Sequence, residues 1–150
     1  MAAVSRHTIR WRWLRFMYAY TVVVAGLIGL AEVINPAGMQ SVLGMPEQDP
    51  VVFGLAASMF LAFGLTAALG LRAPLKYCPI LLVELLYKLV WLCGVVLPLA
   101  LRGQFPASSV VQVVIFITFV VGYLIAIPFR YLLARDAAPA AALVDVVDYH

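Results

Sequence analysis

Apolar residues fall in four long runs, at residues 16–34, 51–71, 77–101 and 105–129, separated by short polar stretches. The first is broken only by Tyr18, Tyr20, Thr21 and Glu32, the second and fourth carry no charge, and the third holds Glu84 and Lys88. Each run approaches or exceeds the roughly 20 residues that cross a hydrocarbon layer about 30 Å thick. A backbone in lipid must bond its polar groups within the segment, and no period-2 alternation of the barrel type occurs, so the runs read as helices. Prolines punctuate them: Pro36 follows the first, Pro50 opens the second, Pro79 lies in the first turn of the third and Pro106 opens the fourth. Pro98 and Pro128 lie near helix exits, where a kink costs little. The pattern predicts helices over residues 14–34, 50–71, 77–101 and 106–130, forming one all-α, four-helix transmembrane bundle, with a flexible tail over residues 136–150.

Composition agrees. With 65% hydrophobic and 11% charged residues and a mean hydropathy of +1.05, the chain lacks the polar surface to cover a water-facing globule. The net charge of +3 does not indicate nucleic acid, because the basic residues cluster beside the apolar runs. Arg6, Arg10, Arg12, Arg15, Arg72, Lys76, Arg130 and Arg135 flank one set of helix ends, against Arg102 alone at the other set. Eight to one predicts both termini in the cytoplasm. Trp11, Trp13 and Tyr131 suit interfacial anchoring, and residues 7–15 extend the first helix into the headgroup layer. A cleaved signal peptide is disfavoured, because the first run outlasts the usual h-region of about 7–15 residues and no small-x-small site follows it. The turn-rich loop over residues 35–49 is expected to cap the exported face.

The candidate chemistry lies in the third run. Glu84 and Lys88 are four residues apart, on one helix face, with the acid first. Either charge alone near mid-span costs about 2.5–3.5 kcal/mol on insertion scales, and pairing lowers that cost without removing it. Tyr77, Glu84, Lys88 and Trp91 form one stripe, which should face the bundle interior and bring tyrosine and tryptophan donors to the carboxylate and a ring to the ammonium. Two readings compete: a neutral pair that locks helix packing, or a polar pocket for a ligand headgroup or a proton. Gln112, which shares a face of the fourth helix with Tyr123, is the candidate third member of that pocket.

Elsewhere the polar and small residues suit packing. Tyr18, Thr21, Ala25, Gly29 and Glu32 trace one face of the first helix, where Ala25 and Gly29 permit close approach; Gly54, Ser58 and Ala62 do the same on the second. Glu32 reads as a solvated helix end. Cys78 and Cys93 are separated by about 22 Å along one helix, so they cannot pair with each other, and no C-x-x-C supports thiol redox chemistry. His7 and His150 lie in the tails, leaving no obvious haem or metal ligands in the bundle. No phosphate-binding loop, nucleophile elbow or paired aspartates appear. No cofactor or metal is expected, and no catalytic residue is assigned.

Leu43-Gly44-Met45-Pro46, followed by Pro50-Val51-Val52-Phe53-Gly54-Leu55 leading into a Gly-rich helix, resembles the DoxX-like group of small bacterial membrane proteins over residues 20–125. The resemblance implies a multi-pass protein of the bacterial cytoplasmic membrane, and some members of that group are linked to membrane redox complexes. The expected function is non-enzymatic: binding a small apolar or amphipathic ligand, or accompanying a membrane protein partner, with the lipid bilayer as solvent and a homo-oligomer as a further possibility. The alternatives are a proton-coupled small-molecule exporter, and a membrane enzyme subunit in redox or lipid metabolism.

Overall fold

The computed structural model describes residues 9–133, and the tail expected over residues 136–150 lies outside them. Four helices are long and apolar enough to cross a membrane: α1 (Trp11–Ile34), α3 (Pro50–Arg72), α4 (Cys78–Leu101) and α5 (Ala107–Ala126). Two short helices accompany them, α2 (Pro36–Val42) in the first loop and α6 (Phe129–Leu132) after α5. No strand occurs among the described residues.

Local sequence sets the helix ends. The Asn35 side chain accepts from the Gly38 amide at 3.1 Å and caps α2, while Asp49 Oδ1 accepts from Val51 and Val52 at 3.0 and 2.9 Å and caps α3; a proline follows each cap. Gly44 and Gly103, both at φ 66°, close α2 and α4 in the same way. In each, the glycine amide and the one after it bond back to the last turn (Gly44 to Ser41, Met45 to Gln40; Gly103 to Ala100, Gln104 to Leu99).

Three features differ from expectation. The first helix begins at Trp11, three residues early, so its opening turns carry exposed Trp11 and Trp13 among the arginines. The last long helix ends at Ala126 rather than residue 130, because Pro128 forces Ile127 into extended backbone (ψ 123°) and the chain restarts as α6. The loop over residues 35–49 contains a helix. In addition, α4 widens to a π-turn over Leu92–Val96 just before Pro98. Pro98 has no amide for the Gly94 carbonyl and its ring crowds that group, which the wider turn accommodates.

The helices pack as a ring in which α1 contacts α3 and α5, α5 contacts α4, and α4 contacts α3. The termini end of the bundle is marked by Tyr18 Oη donating to the Pro74 carbonyl at 2.7 Å and by Gly122 against Met17. Arg10, Arg12, Arg15, Arg72, Lys76 and Arg130 belong to this end, and Arg102 to the other. The dense core fills the termini end, with Leu14, Met17, Tyr18, Cys78, Leu81, Tyr123 and Ala126 buried. By contrast, Leu92–Val96 and Leu97–Leu101 bury no residue.

The closest helix approach joins α1 and α3. A Cβ on Gly29 would lie 2.5 Å from the Leu61 amide nitrogen and 2.9 Å from the Ala57 carbonyl oxygen, and Gly26 meets Gly64 backbone to backbone. Gly29 and Ala25 therefore lie in the packed α1 face, as their spacing suggests. Gly54 and Ser58 do not: a Cβ on Gly54 would meet nothing within 4 Å, and exposed Ser58 bonds back to the Gly54 carbonyl at 2.7 Å. The packing face of α3 is turned from theirs and runs through Ala57, Gly64 and Ala67. Gly64→Val should thus lower thermal stability in detergent by about 1–3 kcal/mol or more, whereas Gly54→Ala should leave it within about 0.5 kcal/mol. Equal melting shifts for the two variants would contradict this packing.

Candidate functional site

The ion pair lies on α4, the third membrane-length helix and the fourth helix in chain order. Lys88 Nζ donates to Glu84 Oε2 at 2.8 Å, and both side chains are essentially inaccessible. The i, i+4 spacing aligns them, and the buried Leu81, Leu85 face carries them inward.

Glu84 Oε2 also accepts from the Tyr123 hydroxyl of α5 at 2.7 Å. Thr21 of α1 stands 2.7 Å from the same hydroxyl. A phenol has one proton, and Tyr123 commits it to the carboxylate, so Thr21 donates to Tyr123. The chain Thr21–Tyr123–Glu84–Lys88 joins three helices through one buried line of hydrogen bonds.

Aromatic rings enclose the ammonium. Lys88 Nζ is 4.4 Å from the Tyr87 ring centroid, 4.5 Å from Phe119, 5.4 Å from Phe116 and 5.5 Å from Tyr123. Desolvated contacts of this kind contribute on the order of 2 kcal/mol each at best, and together with the charge-assisted bond to Glu84 they offset the burial of the charge. Two buried side-chain polar atoms have no hydrogen-bond partner among the described residues, Glu84 Oε1 and the Tyr87 hydroxyl.

Next to Lys88 lies a narrow, partly open cavity of about 50 Å³. Its walls come from α1 (Val24, Ala25, Ile28, Glu32), from Leu43 and Met45 of the first loop, from Phe60 of α3, from Tyr87 and Lys88 of α4 and from the first half of α5 (Ser108 to Phe119). Residues near helix ends, such as Glu32 and Ser108, place the mouth at the end of the bundle away from the termini. Lys88, Ala25 and Phe119 lie deeper. The lining is mainly apolar, with Glu32, Lys88, Gln112 and Ser108 as its polar exceptions.

The expected stripe on α4 is therefore only half assembled. Glu84 and Lys88 face the interior and Gln112 stands in the same cavity wall as Lys88. Tyr77 sits at the N-cap, half-buried, with Lys76 Nζ 5.9 Å from its ring; it is about two turns from Glu84, and the hydroxyl that reaches the carboxylate belongs to Tyr123. Trp91 packs edge-on against Phe116 at 5.0 Å, and the rings around Lys88 belong to other residues. Glu32 also departs from expectation. It is 4% exposed, because the first loop folds over the end of α1, and it faces the cavity rather than bulk water.

Sequence reasoning missed Tyr87, Phe116 and Phe119. The last two had a readable signal, since Gln112, Phe116, Phe119 and Tyr123 are spaced 4, 3 and 4 along α5, the period of one helix face. Tyr87 had none, being sequence-adjacent to Lys88 and off its stripe. Cys78 is buried and Cys93 exposed. The chain matches no family model, no curated protein and no solved structure.

Because the pair is enclosed, losing one partner exposes the other charge. Lys88→Met should destabilise the protein by about 3–5 kcal/mol, and Glu84→Leu with Lys88→Met should recover most of that loss. Tyr123→Phe should cost about 1–3 kcal/mol by leaving a charged acceptor under-satisfied. Thermal unfolding of the single and double variants measures the coupling; additive losses would show that the two charges do not depend on each other.

Proposed function

We propose that this chain is a multi-pass membrane protein that binds a small amphipathic molecule in the cavity ending at Lys88. The carrying observation is the cavity itself: apolar and aromatic walls with a few polar groups, beside a buried tyrosine whose hydroxyl has no partner. An apolar lining with a few convergent polar groups suits a small ligand whose orientation those groups fix, and a buried hydroxyl without a partner beside it is a donor that a ligand acceptor would satisfy. Outward-facing Leu27, Leu65, Val90 and Leu124, one on each of the four long helices, suit contact with acyl chains. The reading includes the DoxX-like resemblance of residues 43–55 and a bacterial cytoplasmic membrane.

The concentration of basic residues at the termini end supports an orientation with both termini in the cytoplasm, which puts the cavity mouth on the exported side. Single cysteines in a Cys78→Ser, Cys93→Ser background test this. A cysteine at Arg102 should react with a membrane-impermeant maleimide in intact cells, and one at Lys76 only after lysis. The reverse pattern would invert the topology.

Ligand binding is tested by native mass spectrometry of the full chain released from mild detergent. An added mass of a few hundred daltons should accompany the protein and disappear from Ile115→Trp, which fills the cavity from α5. A bare chain in both proteins would count against the reading, and a stoichiometric protein partner in both would favour an accessory role.

A further inference from the structure

The charges around the cavity do not balance. Lys88 and Glu84 neutralise each other at 2.8 Å, and this is the only salt bridge among the described residues. Glu32 is left over: a carboxylate in the cavity wall, 4% exposed, with no basic partner among the described residues. The elements packed around it offer little compensation. From α4 the cavity receives Tyr87 and the already paired Lys88, and from α5 Ser108 and Gln112. The loop helix α2 has no titratable side chain, and the only charged residue within α3 is Arg72, at its far end.

A carboxylate set in a mainly apolar cavity wall favours a counter-charge, either a proton or a cation. The walls suit a cation. Phe60, Tyr87 and Phe116 form a cluster with centroids 5.7–6.4 Å apart, and two of these rings already hold the Lys88 ammonium at 4.4 and 5.4 Å. Aromatic faces attract alkylammonium and similar soft cations, and the apolar lining would receive their hydrocarbon body.

We infer that the cavity's ligand is a lipophilic monocation, such as a protonated amine or a quaternary ammonium or phosphonium ion, whose charge is matched by Glu32 in exchange for a proton. The inference rests on the ligand-binding reading above and narrows it to a substrate class. In the exchange, protonated Glu32 gives its proton to water as the cation arrives, so the charge of the cavity with its occupant is unchanged. Cation and proton therefore compete, and affinity rises with pH across the titration of Glu32.

The test uses the full chain in mild detergent, with tetraphenylphosphonium as probe and triphenylphosphine oxide as its uncharged counterpart. Titration calorimetry in two buffers of different ionisation enthalpy should show protons released as the cation binds, with binding that tightens as pH rises. Glu32→Gln should weaken the cation on the order of a hundredfold and abolish proton release, while triphenylphosphine oxide binding changes little. Glu32→Asp should keep the proton release. Wild-type protein that binds the oxide as well as the cation, with no proton released, would overturn the cation assignment and leave the cavity reading intact. If neither probe binds, and Ile115→Trp carries the same bound mass as wild type, both readings fail.

Discussion

One phenol holds the interior together. The Tyr123 hydroxyl stands between the Glu84 carboxylate of α4 and the Thr21 hydroxyl of α1, at 2.7 Å from each. Those two helices lie across the ring from each other and do not form a packed pair. Without this bridge, the carboxylate would have only Lys88, and the charged pair would have no anchor outside its own helix. Because an enclosed carboxylate cannot turn to water, the bridge fixes the rotation of α4, and thereby the direction in which Lys88 points. The aromatic faces around the ammonium follow from that direction, and so does the position of Lys88 in the cavity wall.

The two ends of the bundle have different physical characters. At the termini end, large side chains interdigitate over short connections, and Tyr18 ties α1 to the turn between α3 and α4. At the other end the glycine contact draws α1 and α3 together, while the last turns of α4, after the π-turn imposed ahead of Pro98, bury nothing. Two helices held close beside a third that stands free leave a gap between α1 and α5. The first loop, capped by Asn35 and turned by Gly44, covers that gap only in part. The cavity is thus a consequence of where glycine and proline fall in the chain, and the densely packed half supplies the rigidity that keeps it open.

Much of this was legible in the sequence, for an identifiable reason. A span must be long, apolar and internally hydrogen-bonded, so hydropathy and proline spacing locate all four to within a few residues. The burial of Glu84 and Lys88 follows from the cost of facing a charge to lipid. Partners across helices are another matter. One-dimensional periodicity gives the face of a helix but not which faces meet, so Tyr77 and Trp91 looked as suitable as Tyr123 and Phe119. Gly54 and Ser58 repeat at four residues as packing pairs do, yet the backbone of α1 meets the neighbouring ridge through Gly64. Glu32 was misread for the same reason: its depth depends on a loop folding back over the helix end, which no pattern within the first span encodes.

The structural and functional readings of Glu84 and Lys88 are consecutive rather than opposed. A lone ammonium at the inner end of an apolar cavity would repel a cation and bind an anion. Held against Glu84 and screened by four rings, Lys88 contributes little net charge, and the pair acts as a neutral, donor-bearing wall. Only on that condition does the remaining carboxylate decide the sign of the site. Glu32 stands nearer the mouth, where a ligand of the proposed class would meet it before reaching the rings, and where a proton given up would have a short path to water. With the unmatched acid at the entrance and the matched pair at depth, the proposed site would discriminate by charge while the packing beneath it stays undisturbed.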